Sequence, residues 1–386
     1  MRGPWKHNPW YSLLRPYVDA CTKFSYRHIR VEGKENIPSD GAVIIAPNHC
    51  NTLMDALVVL RSRKAPTVFG ARADIFENRT AAAILRFLRI LPMVRRRDGL
   101  RKVLRNYETI DQVVDVLANG VPFCMFAEGR HRAMHSLLPI GKGICRIAKT
   151  AHDALNGGVH ASVSPEGQDS PAPSGEENSL RGGQDLPGGK DVYIVPAGIE
   201  YGDYFRYRSW VRLRYGRAIN VSQIIRENPS LNEHDLYLKL IELISKGISS
   251  RIVCLPDDEN YPAAIAEFER RFDALHGTPP SEAGLPKKRL TRILLAVLTA
   301  PFFALSAVLT APMWGLGEWI CRKKLRDPAF RNTVRFAMSL LGGIIIGIVW
   351  AALFFIFLPP LCAILGLIYF FASYSIFYDW LNLVRK

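Results

Sequence analysis

Residues 43–55 read Val-Ile-Ile-Ala-Pro-Asn-His-Cys-Asn-Thr-Leu-Met-Asp, and this stretch decides the fold. Its first residues are apolar and partly β-branched, which is typical of a buried strand, and the periodic apolar residues from Leu53 to Leu60 predict a helix. The two are joined by a turn that contains Pro, Asn, His and Thr residues. The carboxyl end of a strand, where a helix begins, is where open α/β sheets usually build their sites.

His49 and Asp55 are the residues of this stretch that suit acid–base chemistry. A regular helix would place them on different faces, but a turn that enters the helix only near Leu53 folds His49 back toward Asp55. A neutral histidine held by a carboxylate can take a proton from a hydroxyl near pH 7, because the ordinary pKa of histidine is close to that value. The isolated pair also fits a solvated loop or a core histidine, so the remaining motifs of the chain decide between these interpretations.

The composition favours anionic partners and a reducing compartment. The chain has 386 residues, a formal net charge of +15 and a pI near 9.6, which favour nucleic acid, acidic lipid surfaces or phosphorylated substrates. Its seven cysteines form no CxxC pair and no metal-ligand spacing with histidine, which argues against a disulfide scaffold. Residues 1–9 lack the apolar segment and cleavage site of a secretory signal, so we expect none.

Alternating strand and helix patterns predict the fold class. Strand-like runs near residues 67–70, 91–94, 121–126 and 192–196 are separated by helix-like runs near residues 80–88, 100–117 and 141–151. We therefore expect an α/β domain over residues 31–277, with a mostly parallel sheet flanked by helices. Residues 1–30 predict an amphipathic helix that lies on a membrane surface or on the domain. Residues 155–190 are rich in Gly, Ser, Pro and acids and predict a disordered insertion.

The end of the chain predicts an α-helical membrane region over residues 291–380, after a Pro/Gly/Glu linker at residues 278–290. The run from Phe336 to Tyr378 is uncharged and is broken by two prolines. Because about 20 apolar residues span a bilayer, this run predicts a helical hairpin over residues 336–358 and 361–378.

The first apolar segment, residues 291–317, is less regular because Pro301 and Pro312 interrupt it. Basic residues lie on both sides of this segment, and basic flanks favour the cytoplasm. A full crossing would leave one basic cluster on the wrong side, which favours a re-entrant or surface-lying segment over a spanning one. We expect a multi-pass membrane protein whose catalytic domain lies on the cytoplasmic face.

Two further polar blocks follow predicted strands. Arg95, Arg96 and Arg97 follow one strand, and Glu128 with Gly129 follows the next. Because carboxyl ends of parallel strands meet at one edge, we expect these residues to share a cleft with the His–Asp pair. Guanidinium groups bind phosphate bidentately, and a glycine lets the backbone turn tightly near a ligand. Taken singly, the arginines also fit a solvated face and the glutamate a structural ion pair.

Together these blocks resemble the glycerolipid acyltransferases, which include lysophosphatidic acid and glycerol-3-phosphate acyltransferases. The four family blocks are Asn-His followed by Asp, an Arg after a strand, Phe-Pro-Glu-Gly, and a Val-Pro strand end. They are matched in order by Asn48–Asp55, Pro92–Gly99, Phe126–Gly129 and Val195–Pro196. Three features depart from the usual pattern: five residues separate the His from the Asp, Ala127 replaces Pro, and Arg130-His131 replaces Thr-Arg.

Longer stretches resemble one subgroup of this family, a bacterial-to-fungal type with C-terminal membrane segments. They are residues 69–76, 137–144 and 327–336. The subgroup contains glycerol-3-phosphate and dihydroxyacetone-phosphate acyltransferases. The acceptor itself stays open, because 1-acylglycerol 3-phosphate presents a hydroxyl and a phosphate as well.

The resemblance implies the glycerolipid acyltransferase fold and a role for each matched residue. His49 is the expected general base on a glycerol hydroxyl, and Asp55 orients it. The hydroxyl attacks the thioester of acyl-CoA or acyl-carrier protein, and no cofactor or metal is needed. Substrate-binding roles are expected for Asn48, Arg95, Arg96, Arg97, Glu128, Gly129, Arg130 and Lys142, with Arg132 as a further source of charge.

Three other classes remain as alternatives. A non-catalytic lipid-binding protein would share the basic surface and the membrane anchor. A metal-dependent hydrolase would need a ligand set around His49 and His131 that the sequence does not offer convincingly. Nucleic-acid binding is not expected, because the basic residues flank membrane segments and no nucleic-acid motif is present.

Overall fold

The computed structural model describes residues 3–93, 100–157, 189–276, 286 and 289–384, with the backbone alone at residues 100–108 and 272–276. The strands in this part of the chain are β1 His28–Glu32, β2 Ala42–Pro47, β3 Val68–Arg72, β4 Ile90–Met93, β5 Phe123–Cys124, β6 Val192–Tyr201, β7 Trp210–Tyr215 and β8 Ile219–Asn220. The helices are α1 Pro9–Ser25, α2 Thr52–Ser62, α3 Arg79–Phe87, α4 Leu100–Ala118, α5 Lys142–Leu155, α6 Val221–Glu227, α7 Glu233–Ser249, α8 Tyr261–His276, α9 Arg289–Lys323, α10 Arg331–Ala337, α11 Gly343–Phe357 and α12 Pro360–Val384.

The strands form one mixed sheet in the order β1-β7-β6-β2-β5-β3-β4, with β8 beside β6. Strand β6 pairs antiparallel with β7 and β8, and the other pairs are parallel. The predicted α/β class, a mostly parallel sheet flanked by helices and followed by apolar C-terminal helices, is confirmed.

Strand β2 lies inside the sheet, and every residue of Ala42–Pro47 is buried. Ile44 packs into the core cluster beneath α4, α5 and α7, whereas Val43 and Ile45 pack into the cluster beneath α1 and α2. A strand covered on both faces is apolar throughout instead of alternating between apolar and polar residues. This double burial explains the continuous apolar run that begins the motif.

Helix α1 joins the domain to the C-terminal helices. The Arg15 guanidinium donates to the carbonyl oxygens of Leu60 (2.5 Å) and Arg63 (2.9 Å), at the end of α2. The Tyr17 hydroxyl donates to the Leu340 carbonyl at 2.8 Å, between α10 and α11. Of the two placements that the sequence left open, the structure therefore shows α1 in contact with the domain.

The C-terminal region contains three helical stretches that are long and apolar enough to cross a membrane, among the residues described: Arg289–Lys323, Pro328–Phe357 and Pro360–Val384. Helices α11 and α12 meet at Leu358 and Pro359. Helix α9 runs through Pro301 and Pro312 without a break. It therefore lacks the reversal that a re-entrant segment requires.

Several predicted features lie outside the described residues. They are Arg95, Arg96 and Arg97, most of the insertion (residues 158–188) and most of the linker (residues 277–285, 287 and 288). On either side of the insertion, α5 ends at Leu155 and β6 begins at Val192.

Candidate active site

The site lies at the carboxyl ends of three neighbouring strands, β6, β2 and β5. The Asn48 N–H donates to the Ala197 carbonyl in β6 at 3.3 Å, and the Ala127 N–H donates to the Pro47 carbonyl at 3.3 Å. These two bonds extend the β2–β6 and β2–β5 pairings past the ends of the strands. As a result, the turn that follows β2 and the turn that follows β5 leave the sheet next to each other.

His49 and Asp55 are brought together as predicted, with His49 Nδ1 2.8 Å from Asp55 Oδ2. The Asp55 side chain is fully buried, and 17% of the His49 side chain is exposed. Because a carboxylate oxygen only accepts, Nδ1 carries the hydrogen and Nε2 has the free lone pair of the neutral imidazole. No partner bonds Nε2 among the residues that the structure describes, so this nitrogen is available to a substrate hydroxyl.

Besides His49, two backbone N–H groups and a tyrosine hydroxyl donate to Asp55. Its Oδ2 accepts from the backbone N–H groups of Cys50 (2.8 Å) and Asn51 (2.7 Å), and its Oδ1 accepts from the Tyr201 hydroxyl (2.7 Å). Asp55 also lies in the first turn of α2, where the helix dipole favours a negative charge. The backbone of the turn curves around the Asp55 carboxylate because its N–H groups donate to that group. This explains how His49 and Asp55, six residues apart, meet.

The His49 ring and backbone are both fixed by neighbours. Its ring stacks on Phe126, with centroids 4.0 Å apart and planes at 14°, and meets the His131 ring at 5.6 Å and 75°. Its N–H donates to Glu128 Oε1 at 3.1 Å, and its carbonyl accepts from the Arg132 N–H at 3.0 Å. The turn after β5 therefore bonds both the N–H and the carbonyl group of His49.

Glu128 is a buried acid whose charge is disfavoured. Desolvation raises the pKa of Glu128 to about 8, although the hydrogen bond from the His49 N–H acts in the opposite direction. Glu128 is therefore mostly protonated at neutral pH and adds little repulsion to the Asp55 charge. Gly129, which follows it, has a left-handed φ of +66°, and no atom lies within 4 Å of the point that a Cβ atom would occupy there. Backbone conformation, not crowding, requires this glycine.

The structure gives Asn48 a different role from the predicted substrate contact. Its side-chain amide is buried and makes two hydrogen bonds to the backbone of Ile199. Nδ2 donates to the Ile199 carbonyl (3.0 Å), and Oδ1 accepts from the Ile199 N–H (2.7 Å). This amide has its hydrogen bonds satisfied within the protein. Asn48 fastens the end of β2 to β6 and so fixes where His49 leaves the sheet.

The basic residues predicted for the pocket differ in their placement. Arg130 is exposed, directly after Gly129. The Arg132 guanidinium is engaged by Asp257 (2.6 Å) and by the Ser136 hydroxyl (2.6 Å). Lys142 begins α5, and its amine lies 3.4 Å from His234 Nδ1 on α7. Of these, only Arg130 remains an exposed cation next to Glu128 and Gly129.

The predicted arginine block follows β4, which lies beyond β5 and β3 from β2. At about 4.8 Å per strand, β4 is about 14 Å from β2 across the sheet. Arg95, Arg96 and Arg97 themselves lie outside the described residues, so their shared cleft with His49 stays a prediction.

Sequence reasoning missed Tyr201 and the aromatic contacts of His49. Tyr201 ends β6, the strand whose Val195-Pro196 was recognised, and its position at a strand end was the available signal. Cys50, adjacent to the base, is buried: burial raises the pKa of its thiol well above the ordinary value, and the charge of Asp55 adds to this effect. Its thiol therefore stays protonated and is unsuited to act as a nucleophile.

Comparisons with known proteins found similarity to one family model and to a solved structure. The family model described as Acyltransferase matches residues 28–200, a segment that contains His49, Asp55 and Glu128. The chain is also similar to the crystal structure of the 1-acyl-sn-glycerophosphate (LPA) acyltransferase PlsC from Thermotoga maritima, with 17% identity and a TM-score of 0.39, over 62% of this chain and 78% of that chain. No curated protein matches the chain.

Proposed function

We propose that the chain, whose residues 28–200 match the family model described as Acyltransferase, is a membrane-bound O-acyltransferase of glycerolipid synthesis. The acceptor is glycerol 3-phosphate or dihydroxyacetone phosphate, and the donor is acyl-CoA or acyl-carrier protein. The observation that carries this proposal is the His49–Asp55 pair, joined at 2.8 Å around a fully buried carboxylate. A lipid-binding protein without catalysis has no need for this arrangement.

In the proposed reaction, His49 Nε2 takes the proton of the acceptor hydroxyl while the hydroxyl oxygen attacks the thioester carbonyl carbon. Asp55 keeps Nδ1 protonated and stabilises the imidazolium that forms. The tetrahedral intermediate then expels the thiolate, which receives the proton from His49. The acyl group passes directly to the acceptor, in keeping with the buried, protonated Cys50 thiol.

The phosphate of the acceptor is assigned to arginine. Arg130 is exposed and follows Glu128 and Gly129 directly in the chain, and the block Arg95–Arg97 is the second candidate from the sequence. A guanidinium keeps its charge and binds a phosphate through two parallel hydrogen bonds. The net charge of +15 favours the arrival of such anions at the surface.

An acceptor panel tests this function. Purified full-length protein in lipid–detergent micelles is given labelled acyl-CoA or acyl-carrier protein with glycerol 3-phosphate, dihydroxyacetone phosphate or 1-acylglycerol 3-phosphate. We expect one of the first two to give the highest kcat/KM, by about tenfold or more, the size of a lost specific contact. A preference for 1-acylglycerol 3-phosphate would instead assign the second acylation step. No transfer to any acceptor would favour the non-catalytic lipid-binding alternative.

Helix α9 packs against α12 through aromatic side chains. Phe303 and Trp314, about 16 Å apart along a regular helix, both stack against the Phe377 ring of α12, at 5.4 Å and 5.6 Å. Helix α9 also contacts α12 further along its length, where the Tyr369 hydroxyl donates to the Phe302 carbonyl oxygen at 2.7 Å.

Both halves of α9 also meet the end of α12 that is fixed to the domain. The Ala296 carbonyl accepts from Trp380 Nε1 at 2.9 Å. Near the other end, Glu318 pairs with Arg335 at 2.7 Å, and that guanidinium lies over the Tyr378 ring. Asp379 in the same turn of α12 pairs with Arg208 of the domain at 2.7 Å. Because basic residues lie on both sides of the apolar part of α9 and basic flanks favour the cytoplasm, we propose that α11 and α12 cross the bilayer, while α9 lies along the interface with both basic ends on the cytoplasmic, domain side.

Cysteine labelling tests this arrangement. With the exposed Cys254 and Cys362 replaced by serine, single cysteines are introduced as Arg289→Cys, Lys324→Cys and Leu358→Cys. In sealed vesicles we expect an impermeant maleimide to label positions 289 and 324 from the same side, and position 358 from the opposite side. A Cys254-only variant reports the side of the domain. Labelling of 289 and 324 from opposite sides would show that α9 spans the membrane.

A further inference from the structure

Residues 327–333, which we call the connecting segment, lie between α9 and α11 and contact the catalytic turns. His131 Nε2 is 2.9 Å from Asp327 Oδ2, and the Phe330 ring meets the His131 ring at 5.3 Å and 89°. The same imidazole also contacts the His49 ring, at 5.6 Å between ring centroids. His131 therefore contacts both the connecting segment and the catalytic base.

The connecting segment also contacts the turn between His49 and Asp55. The Thr333 hydroxyl lies 2.7 Å from the Thr52 hydroxyl. Thr52 has a φ of +46°, a left-handed conformation that is unfavourable for a non-glycine residue. Because Thr52 separates the two members of the pair, a contact that stabilises its conformation also stabilises the path from His49 to Asp55.

A third contact is shared through one carbonyl oxygen. Asn51 Nδ2 and Asn332 Nδ2 both donate to the Tyr204 carbonyl, at 3.0 Å and 2.8 Å. Asn51 and Asn332 are buried, with 0% and 2% of their surfaces exposed. The catalytic turn and the connecting segment are thus fixed to the same point of the loop after β6.

The contact between His131 and Asp327 is partly accessible: 24% of the His131 side chain and 48% of the Asp327 side chain are exposed. Desolvation opposes ionisation of Asp327, but the hydrogen bond from His131 keeps the pKa of Asp327 below its ordinary value. The aspartate is thus a charged acceptor that orients the His131 imidazole.

We infer that the connecting segment forms one wall of the active site, and that Asp327 and His131 are positioning residues for His49. Phe126 supports one face of the base, Asp55 fixes its Nδ1, and His131, oriented by Asp327, confines the remaining side. The membrane region thereby sets the orientation in which His49 Nε2 meets the acceptor hydroxyl. This inference rests on the proposed acyl transfer.

Kinetics of Asp327→Ala, Asp327→Asn and His131→Ala in the full-length protein test the inference. A base displaced by a fraction of an ångström loses rate without losing substrate affinity, so we expect Asp327→Ala and His131→Ala each to lower kcat about tenfold. The acceptor KM should stay within about twofold of the wild-type value. Asp327→Asn keeps an oxygen that accepts from Nε2 and should retain most of kcat.

The double variant Asp327→Ala/His131→Ala separates a coupled pair from two independent effects. Because Asp327 acts through His131, we expect the kcat of the double variant to lie within about twofold of the kcat of His131→Ala alone. An additive loss near a hundredfold would overturn the inference, as would a raised acceptor KM at unchanged kcat, which would make His131 a substrate ligand. Asp153→Ala, which breaks a surface ion pair with Lys149 on α5, is the matched control with wild-type kinetics.

Thr333→Val is a second variant that removes the bond to Thr52 and preserves side-chain volume. We expect a few-fold lower kcat, with the acceptor KM again unchanged. Wild-type kcat in this variant and in Asp327→Ala would refute the wall formed by the connecting segment, while leaving acyl transfer intact. Absence of transfer in the wild-type protein would refute the proposed function instead.

Discussion

His49→Ala should lower the rate of acyl transfer by about a thousandfold or more while the protein stays folded and membrane-bound. General-base catalysis contributes about 10²–10⁴ in rate, and Nε2 of His49 is the basic nitrogen that is left free in the pair. The measurement is labelled acyl product formed per unit of purified protein, under saturating donor and acceptor. Because the acceptor is held elsewhere, its KM should change much less than kcat.

His28→Ala is the matched control for this substitution, since His28 is an exposed histidine on β1 at the edge of the sheet. We expect it to retain wild-type rates. Full activity in a folded His49→Ala protein would remove the base assignment and the mechanism built on it.

Asp55→Asn should lower kcat by about 10³–10⁴, as expected when the acid that orients a catalytic histidine is neutralised. The asparagine amide would place N–H hydrogens where one carboxylate oxygen now accepts from the Tyr201 hydroxyl or from the Cys50 and Asn51 N–H groups. A buried donor that faces other donors costs about 1–3 kcal/mol. We therefore expect a lower thermal midpoint together with the kinetic loss, measured by a melting assay in detergent.

Tyr201→Phe separates the two effects of Asp55. It removes one donor to Oδ1 and leaves the charge and the bond to His49 in place, so we expect a loss of only about tenfold. If Asp55→Asn and Tyr201→Phe lost activity equally, the charge of Asp55 would have no special role. If Asp55→Asn kept wild-type kcat, the catalytic pair itself would be refuted.

Much of the fold followed from local patterns in the sequence. The continuous apolar run of β2 required burial on both faces, and strands alternating with helices required a largely parallel sheet. Those rules also placed Glu128 beside His49, since β5 is the neighbour of β2. The resemblance to acyltransferases agrees with the family model that matches residues 28–200.

Other features depended on contacts that no local pattern encodes. Asp327 and His131 are separated by 196 positions, so their pairing required the C-terminal helices to dock on the domain. Asn48 belongs to the first family block, yet its amide is hydrogen-bonded to the backbone of Ile199 because β6 lies alongside β2. Pro301 and Pro312 suggested breaks in α9, but packing against neighbouring helices can satisfy the freed backbone groups and allow one helix to continue.

The docking of α1 and the connecting segment has a practical consequence for producing the enzyme. A soluble fragment that ends after α8 would lose the partners of Tyr17 and Thr52, and it would uncover Tyr207, which packs among aromatic rings of α12. Such a fragment would expose aromatic side chains that favour aggregation, and the turn between His49 and Asp55 would be less rigid. Biochemical work on this chain therefore calls for the intact polypeptide, kept in nanodiscs or lipid-rich micelles.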